Sequence, residues 1–322
     1  MREYEIFALQ GIKGIGNAAI SKLIQYLNHL DAITLLEIDL DVLAKSPDLS
    51  RYKKVLTDNL SKSTFELAIA QSKKYIESLQ ARGINVISIT SQDYPQALRL
   101  TSSPPPLLFC RGNIELLRQN RNIAVIGTRN NTPLGKAITE RTTNYFASSG
   151  FVIVSGLALG IDAIAHEECL SCNGKTIAVL VDVENIQPEK NRELANNILT
   201  KDGLLISENA PGIKVTPPLF VKRDRIQAGL SLAVFPIETA KDGGTMHAVN
   251  SAKDESRLIY VPDHTKSGYL DKSIEQISGI MSLYNDSNVE AYTRASYPKI
   301  IERLYLKENE IFSIDKEQGT LL

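Results

Sequence analysis

The residues best suited to chemistry in this chain are cations and small residues placed where apolar runs end. Between Leu204 and Leu230 four cations, Lys214, Lys222, Arg223 and Arg225, stand against two acids, Glu208 and Asp224. Phe220 lies three residues before Arg223. Guanidinium groups hold phosphate oxygens in a planar fork, and an aromatic ring offers its face to a base. The pattern therefore suits phosphate contacts combined with base stacking. A solvated charge run fits the same residues, although the apolar flanks on both sides favour side chains held at a pocket edge. Arg129, just after the apolar run Ile123–Ile126, is expected at the same end of a sheet.

A second candidate is Phe151 to His166, FVIVSGLALGIDAIAH. Its first four residues, rich in β-branched types, read as a buried strand of a parallel sheet. Ser155-Gly156 and Gly160 break the run, and a helix then opens with Asp162 in its first turn. Strand, small-residue loop and helix N-terminus together make an anion site, because free N–H groups and the helix dipole favour a phosphate. Asp162 either caps that helix or meets a ligand hydroxyl. A structural βα turn that binds nothing is the alternative.

Several familiar signatures are missing. No Gly-x-Gly-x-x-Gly follows a strand, and Gly174-Lys175-Thr176 is half a phosphate-binding loop that enters a strand where a helix should open. Ser155 lacks the preceding glycine of a nucleophile elbow, since Ile153 is there. His166, Cys169 and Cys172 could begin a metal site, but zinc sites usually need four ligands and the only other cysteine is Cys110. Neither a metal nor a cofactor is expected.

These residues need elements to position them. Residues 1–82 read as helical, with a Gly14-Ile15-Gly16 turn that resembles a helix-hairpin-helix, or serves only as a tight turn between packing helices. A helix from Leu60 to Arg82 and a strand from Ile84 to Ile89 follow, then a connector containing Pro104-Pro105-Pro106. From Asn122 strands are expected at Ile123–Ile126, Phe151–Val154, Thr176–Val181, Gly203–Ser207, Ser231–Pro236 and Arg257–Val261. Helices fall between them near 134–148, 160–172, 189–201, 219–229 and 244–253. This alternation predicts an α/β fold: an extended Rossmann-like, mostly parallel sheet with helices on both faces, preceded by a small helical domain. The expected division is a helical domain at 1–82, the sheet domain at 83–306 and a polar tail at 307–322. Ligands of such sheets sit at strand C-termini, so the loops to inspect include Gly127-Thr128-Arg129, Ser155-Gly156 and Gly243-Gly244-Thr245.

Composition narrows the function. Of 322 residues 43% are hydrophobic and 23% charged, with 36 Lys and Arg against 37 Asp and Glu. A net charge of −1 gives no global basic footprint, so any nucleic-acid contact must be local. The charged start, the lack of a long apolar run and three cysteines predict a cytoplasmic protein without membrane spans or a disulfide framework.

Taken together, Ile126-Gly127-Thr128-Arg129, Ser155-Gly156-Leu157-Ala158-x-Gly160-Ile161-Asp162-x-x-Ala165-His166 and Phe220-x-x-Arg223-Asp224-Arg225-Ile226-x-Ala228-Gly229-Leu230-Ser231 resemble the DprA/Smf family of DNA-processing proteins. Tyr94-Pro95 and Leu107-Leu108-Phe109-x-x-Gly112-Asn113 resemble that family's lead-in to the sheet. The resemblance implies a non-enzymatic protein that binds single-stranded DNA in a basic pocket, acts as a homodimer and helps load a RecA-type recombinase in transformation or recombination. It implies that Arg129, Arg223 and Arg225 hold phosphates, with Lys222 adding charge. Gly127, Thr128, Ser155 and Gly156 would be donors, and Phe220 would stack on a base.

The chain departs from the family pattern at Asp224, where asparagine is usual, and at Gly243-Gly244-Thr245 and Pro262-Asp263. It also shows no convincing winged helix. Lys241 to Ala248 is similar to the loop of cytokinin-activating phosphoribohydrolases but lacks its proline and catalytic glutamate. A divergent paralogue that binds or senses a free nucleotide is thus the alternative, and an adaptor using the helical domain is a third reading.

Overall fold

Nine strands among the described residues form one sheet in the order β1-β2-β6-β5-β4-β3-β7-β8-β9. They are β1 (Ile84–Ser88), β2 (Leu107–Gly112), β3 (Asn122–Ile126), β4 (Val152–Ser155), β5 (Thr176–Val179), β6 (Leu204–Ser207), β7 (Ala233–Pro236), β8 (Leu258–Pro262) and β9 (Val289–Tyr292). The computed structural model of the chain describes residues 1–29, 34–37, 47–59, 61–266 and 275–318. From β6 across to β9 every neighbouring pair is parallel. β2 joins β6 antiparallel, and β1 joins β2 antiparallel. The expected α/β fold with a mostly parallel sheet is the one observed. β2 is an addition, because Leu107–Gly112 read only as part of a lead-in.

The central strands are buried along their whole length and mostly apolar, because helices cover both faces. On one face Ala124, Ile126, Val154, Val179 and Val234 meet Ile226, Ala228 and Val249. These three come from α9 (Pro217–Leu230) and α10 (Thr245–Asp254), numbering the α-helices in chain order. Before these come α1 (Glu3–Gln10), α2 (Asn17–His29), α3 (Lys53–Asn59), α4 (Lys62–Gln80), α5 (Gln96–Arg99), α6 (Pro133–Ser148), α7 (Ile161–Ser171) and α8 (Arg192–Thr200). After them come α11 (Glu275–Leu283) and α12 (Tyr297–Gln318). On the other face Ile123, Val125, Ile153 and Phe235 pack with Phe146 of α6, Ile161 and Ala165 of α7, and Ile300 and Leu304 of α12.

The N-terminal helices share this core. Ile6, Leu9, Ile20, Leu23, Phe65, Ile69 and Leu79 lie in one cluster with Ile84, Leu107, Phe109 and Leu205 of the sheet. The Phe7 ring stacks on Tyr75 at 5.1 Å and meets the Phe109 edge at 6.1 Å.

Chain order in the sheet creates a crevice. The chain steps outward from β3 through β4 and β5 to β6, then crosses to β7 on the other side of β3 and continues outward to β8 and β9. The connections leaving β3 and β7 therefore diverge, which opens a gap at their C-terminal ends. No described helix is long and apolar enough to cross a membrane.

The polar tail expected at 307–322 is corrected by α12, which continues unbroken to Gln318. Tyr297, Ile300, Leu304 and Ile311 repeat on one helix face and are buried. Residues 319–322 lie outside the described residues. Ile311→Ala should therefore lower unfolding free energy by about 2–3 kcal/mol in urea titration, as for other buried aliphatic truncations. Asn309→Ala, on the exposed face, should change it by less than about 0.5 kcal/mol.

Candidate nucleic-acid interface

A cavity of about 660 Å³ opens in the crevice beyond β3 and β7. Gly127, Thr128 and Arg129 enter it from the loop after β3, and Gly156 and Asp162 from the β4–α7 segment. Phe220, Arg223, Asp224 and Gln227 line it from α9, and Gly243, Gly244 and Thr245 from the start of α10.

Asp162 fixes the walls. Its Oδ1 accepts from the Gly127 N–H at 3.3 Å and its Oδ2 from the Gly156 N–H at 3.1 Å. Burial pushes this carboxyl above the usual range, opposed by the Arg223 guanidinium and by N–H donors from Gly127, Ala158 and Gly156. The N-terminus of α7 is closed in the same way, since Ile161 donates to the Thr128 carbonyl at 3.2 Å and Ala163 to that of Ala158 at 3.1 Å. Gly160, at φ +79°, passes so near the Thr128 and Arg129 carbonyls that no β-carbon fits. The N–H groups expected to receive a phosphate at Gly127 and Gly156 are thus spent on Asp162. Asp162 is a bracket rather than a helix cap. Ser155 is likewise corrected as a donor, because its buried hydroxyl donates to the Val125 carbonyl at 2.7 Å and ties β4 to β3.

The four expected phosphate-binding cations divide into separate groups. Arg223 is buried against Gly156, where a β-carbon would overlap its guanidinium. Its Nη1 donates to the Val179 carbonyl at 2.8 Å, and its Nε lies 3.1 Å from Asp224 Oδ1. Lys222 and Arg225, three residues apart on α9, turn instead to the buried Glu208 carboxylate at 3.1 and 2.7 Å. Neither lines the cavity. Arg129 is exposed, sits 5.9 Å over the Phe220 ring and has no carboxylate partner among the described residues.

At the start of α10 the N–H groups of Gly244 and Thr245 have no acceptor among the described residues. Gly243 donates to the Ala240 carbonyl at 3.0 Å. The N-terminus of α6 is filled by a protein carboxylate, because Glu238 accepts from the Thr132 N–H at 2.8 Å and from its hydroxyl at 2.5 Å. The Glu238 carbonyl also accepts from Thr128 at 2.7 Å, so Glu238 holds both ends of the loop that carries Arg129. Glu238 and Gln227 were not singled out in the sequence. The available signals were the position of Glu238 just past a strand end and of Gln227 three residues after Asp224.

His166 is sealed away from the cavity, its Nδ1 2.7 Å from the Thr176 hydroxyl, and burial drives its pKa down to about 3. It is a neutral core histidine at ordinary pH. Among the described residues no group of histidine, cysteine and acidic side chains is arranged to hold a metal.

The sequence profile of the DNA recombination-mediator protein A family matches residues 85–287. DNA processing protein DprA of Bacillus subtilis is 33% identical over 200 residues, which cover 62% of this chain and 67% of that protein. The X-ray structure of DprA from Streptococcus pneumoniae superposes with a TM-score of 0.72 at 26% identity, over 91% of this chain and 95% of that one. DNA processing protein A from Helicobacter pylori, solved for its single-stranded DNA binding mode, gives 0.57 at 25% identity over 73% and 96%. With strands β2 to β8, the crevice and the loops that bound it inside the matched segment, this chain belongs to the DNA recombination-mediator protein A family, the DprA/Smf DNA-processing proteins.

Proposed function

We propose that this protein binds single-stranded DNA at the mouth of the crevice, as a binding protein rather than a catalyst, and passes the strand to a RecA-type recombinase as a homodimer in the cytoplasm. The observation that carries the reading is Arg129. It is an exposed cation that makes no ion pair among the described residues, poised over the Phe220 ring and lining the same cavity as the unclaimed N–H groups of Gly244 and Thr245. A phosphate between that guanidinium and those N–H groups would leave the adjoining base beside Phe220. The Helicobacter relative supports a strand as ligand. On this reading residues 83–306 carry the strand, and residues 1–82 form the helical unit packed on the sheet edge.

A free nucleotide is the second reading, favoured by a cavity of about 660 Å³, large enough for a single nucleotide. Anisotropy of labelled oligo-dT at two salt concentrations, with nucleoside monophosphates as competitors, separates the two. Displacement by a mononucleotide would replace the strand reading.

Internal pairing decides how much each cation contributes. Arg129→Ala should weaken oligo-dT binding about tenfold and flatten the plot of log K against log salt by ~0.7. Arg225→Ala should change affinity less than about threefold, since its charge is already met by Glu208. Equal losses in both variants would contradict this partition. Gly156→Ala, which forces Arg223 from its place, should lower both Tm and oligo-dT affinity. Loss of neither would show that Arg223 can move without cost.

A further inference from the structure

The cavity holds two guanidinium groups, Arg129 and Arg223, and two carboxyl groups, Asp162 and Asp224. The carboxyls differ in what they can do. Both oxygens of Asp162 accept N–H bonds, which hold it as an acceptor. Asp224 uses Oδ1 toward Arg223 Nε at 3.1 Å and Gln227 Nε2 at 3.3 Å. Its Oδ2 has no hydrogen-bond partner among the described residues, and the residue lines the cavity. An ionised Asp224 would repel a phosphate there, whereas a protonated one would present an O–H donor to it.

We propose that Asp224 is the specificity-determining residue of this cavity, its carboxyl taking up one proton as an anionic ligand enters and donating that hydrogen to a phosphate oxygen. The inference rests on the cavity receiving a phosphate, as in the strand reading above. The charged groups that face Asp224 are Arg223 on its own helix, Asp162 on α7 and Arg129 on the loop after β3, and the cavity lining includes no lysine or histidine. Burial is the main force on this carboxyl, with Arg223 and Arg129 opposing it and Asp162 reinforcing it, and its pKa rises to about 7. The proton is therefore exchanged near neutral pH. Gln227, almost fully buried, also lines the cavity, donates from Nε2 to Asp224 Oδ1 and keeps an unpaired Oε1.

Two measurements test this with the full chain. Oligo-dT affinity of the unmodified protein should fall with rising pH above about 7, approaching tenfold per pH unit for one linked proton. Asp224→Asn, which keeps the shape and cannot ionise, should bind with little pH dependence across the same range. A flat profile in the unmodified protein, or an equal slope in the variant, would overturn the proposal.

The proton on the ligand-free protein is read separately. A carboxyl whose pKa is raised on folding supports the fold below its unfolded pKa and loses that support as pH rises toward its folded pKa. The Tm advantage of Asp224→Asn should accordingly grow from about pH 4 to about pH 7 and then level off. A constant difference would overturn the proposal even if the strand binds. If oligo-dT fails to bind at every pH while the Tm difference grows as described, the strand reading falls. Inorganic pyrophosphate then becomes the probe for the same pH slope, and a flat slope with it would overturn the proposal.

Discussion

The geometry of the crevice depends on one buried carboxylate. Asp162 reaches from the first turn of α7 to the backbone of two strand-end loops, and among the described residues no other side chain hydrogen-bonds to both Gly127 and Gly156. A carboxylate taken from water into a protein interior is costly unless it is hydrogen-bonded and faces a cation. Here the donors are loop N–H groups that would themselves be costly to bury unpaired. Each need answers the other, and the two loops are locked at the spacing that leaves a cavity between them. Arg223 completes the arrangement, because the space beside Gly156 that admits its guanidinium exists only where that residue lacks a side chain.

The same economy runs through the rest of the site. Helix N-termini attract anions, and this protein fills that of α6 with its own Glu238 and closes that of α7 with its own carbonyls. What remains open among the described residues is the start of α10, which lines the same cavity as Arg129, a cation with no ion pair there. A chain with nearly balanced charge can thus present a local electropositive point at this cavity, because Lys222, Arg223 and Arg225 are paired with Glu208 and Asp224 while Arg129 makes no ion pair among the described residues. The affinity of such a site should be modest and its salt dependence shallow, because few counterions are released when few charges are free.

Membership of the DprA/Smf family places this chain among DNA-processing proteins. It does so through strands β2 to β8 and the loops around the crevice, which the family profile covers. The ring of Phe220 under Arg129 and the pairing of Lys222 and Arg225 with Glu208 belong to this chain's own packing. They give the crevice an aromatic and cationic lip on one side and a neutral flank on the other. A strand laid across it would be held at one point rather than along a groove.

How much of this was legible beforehand follows from the range of the forces involved. Hydrophobic alternation is local, so the strand and helix order of the α/β sheet, and the placing of ligand loops at strand C-termini, could be read from residues a few positions apart. Tyr297, Ile300, Leu304 and Ile311 carry a helical period too, but charged neighbours masked it, and only packing on the sheet showed that α12 runs to Gln318. Residue type and spacing marked Asp162, Arg129, Phe220 and the α9 cations as candidates. They could not say which partner each would find. Whether a cation is free depends on a carboxylate several helical turns away along the chain: Glu208 takes Arg225 and Lys222, and the Gly127 N–H goes to Asp162. The sequence by itself determined the fold class and the end of the sheet at which the cavity opens. The tertiary structure decided which charges there are spent and which remain, because electrostatic pairing acts between groups that only the fold brings within hydrogen-bond distance.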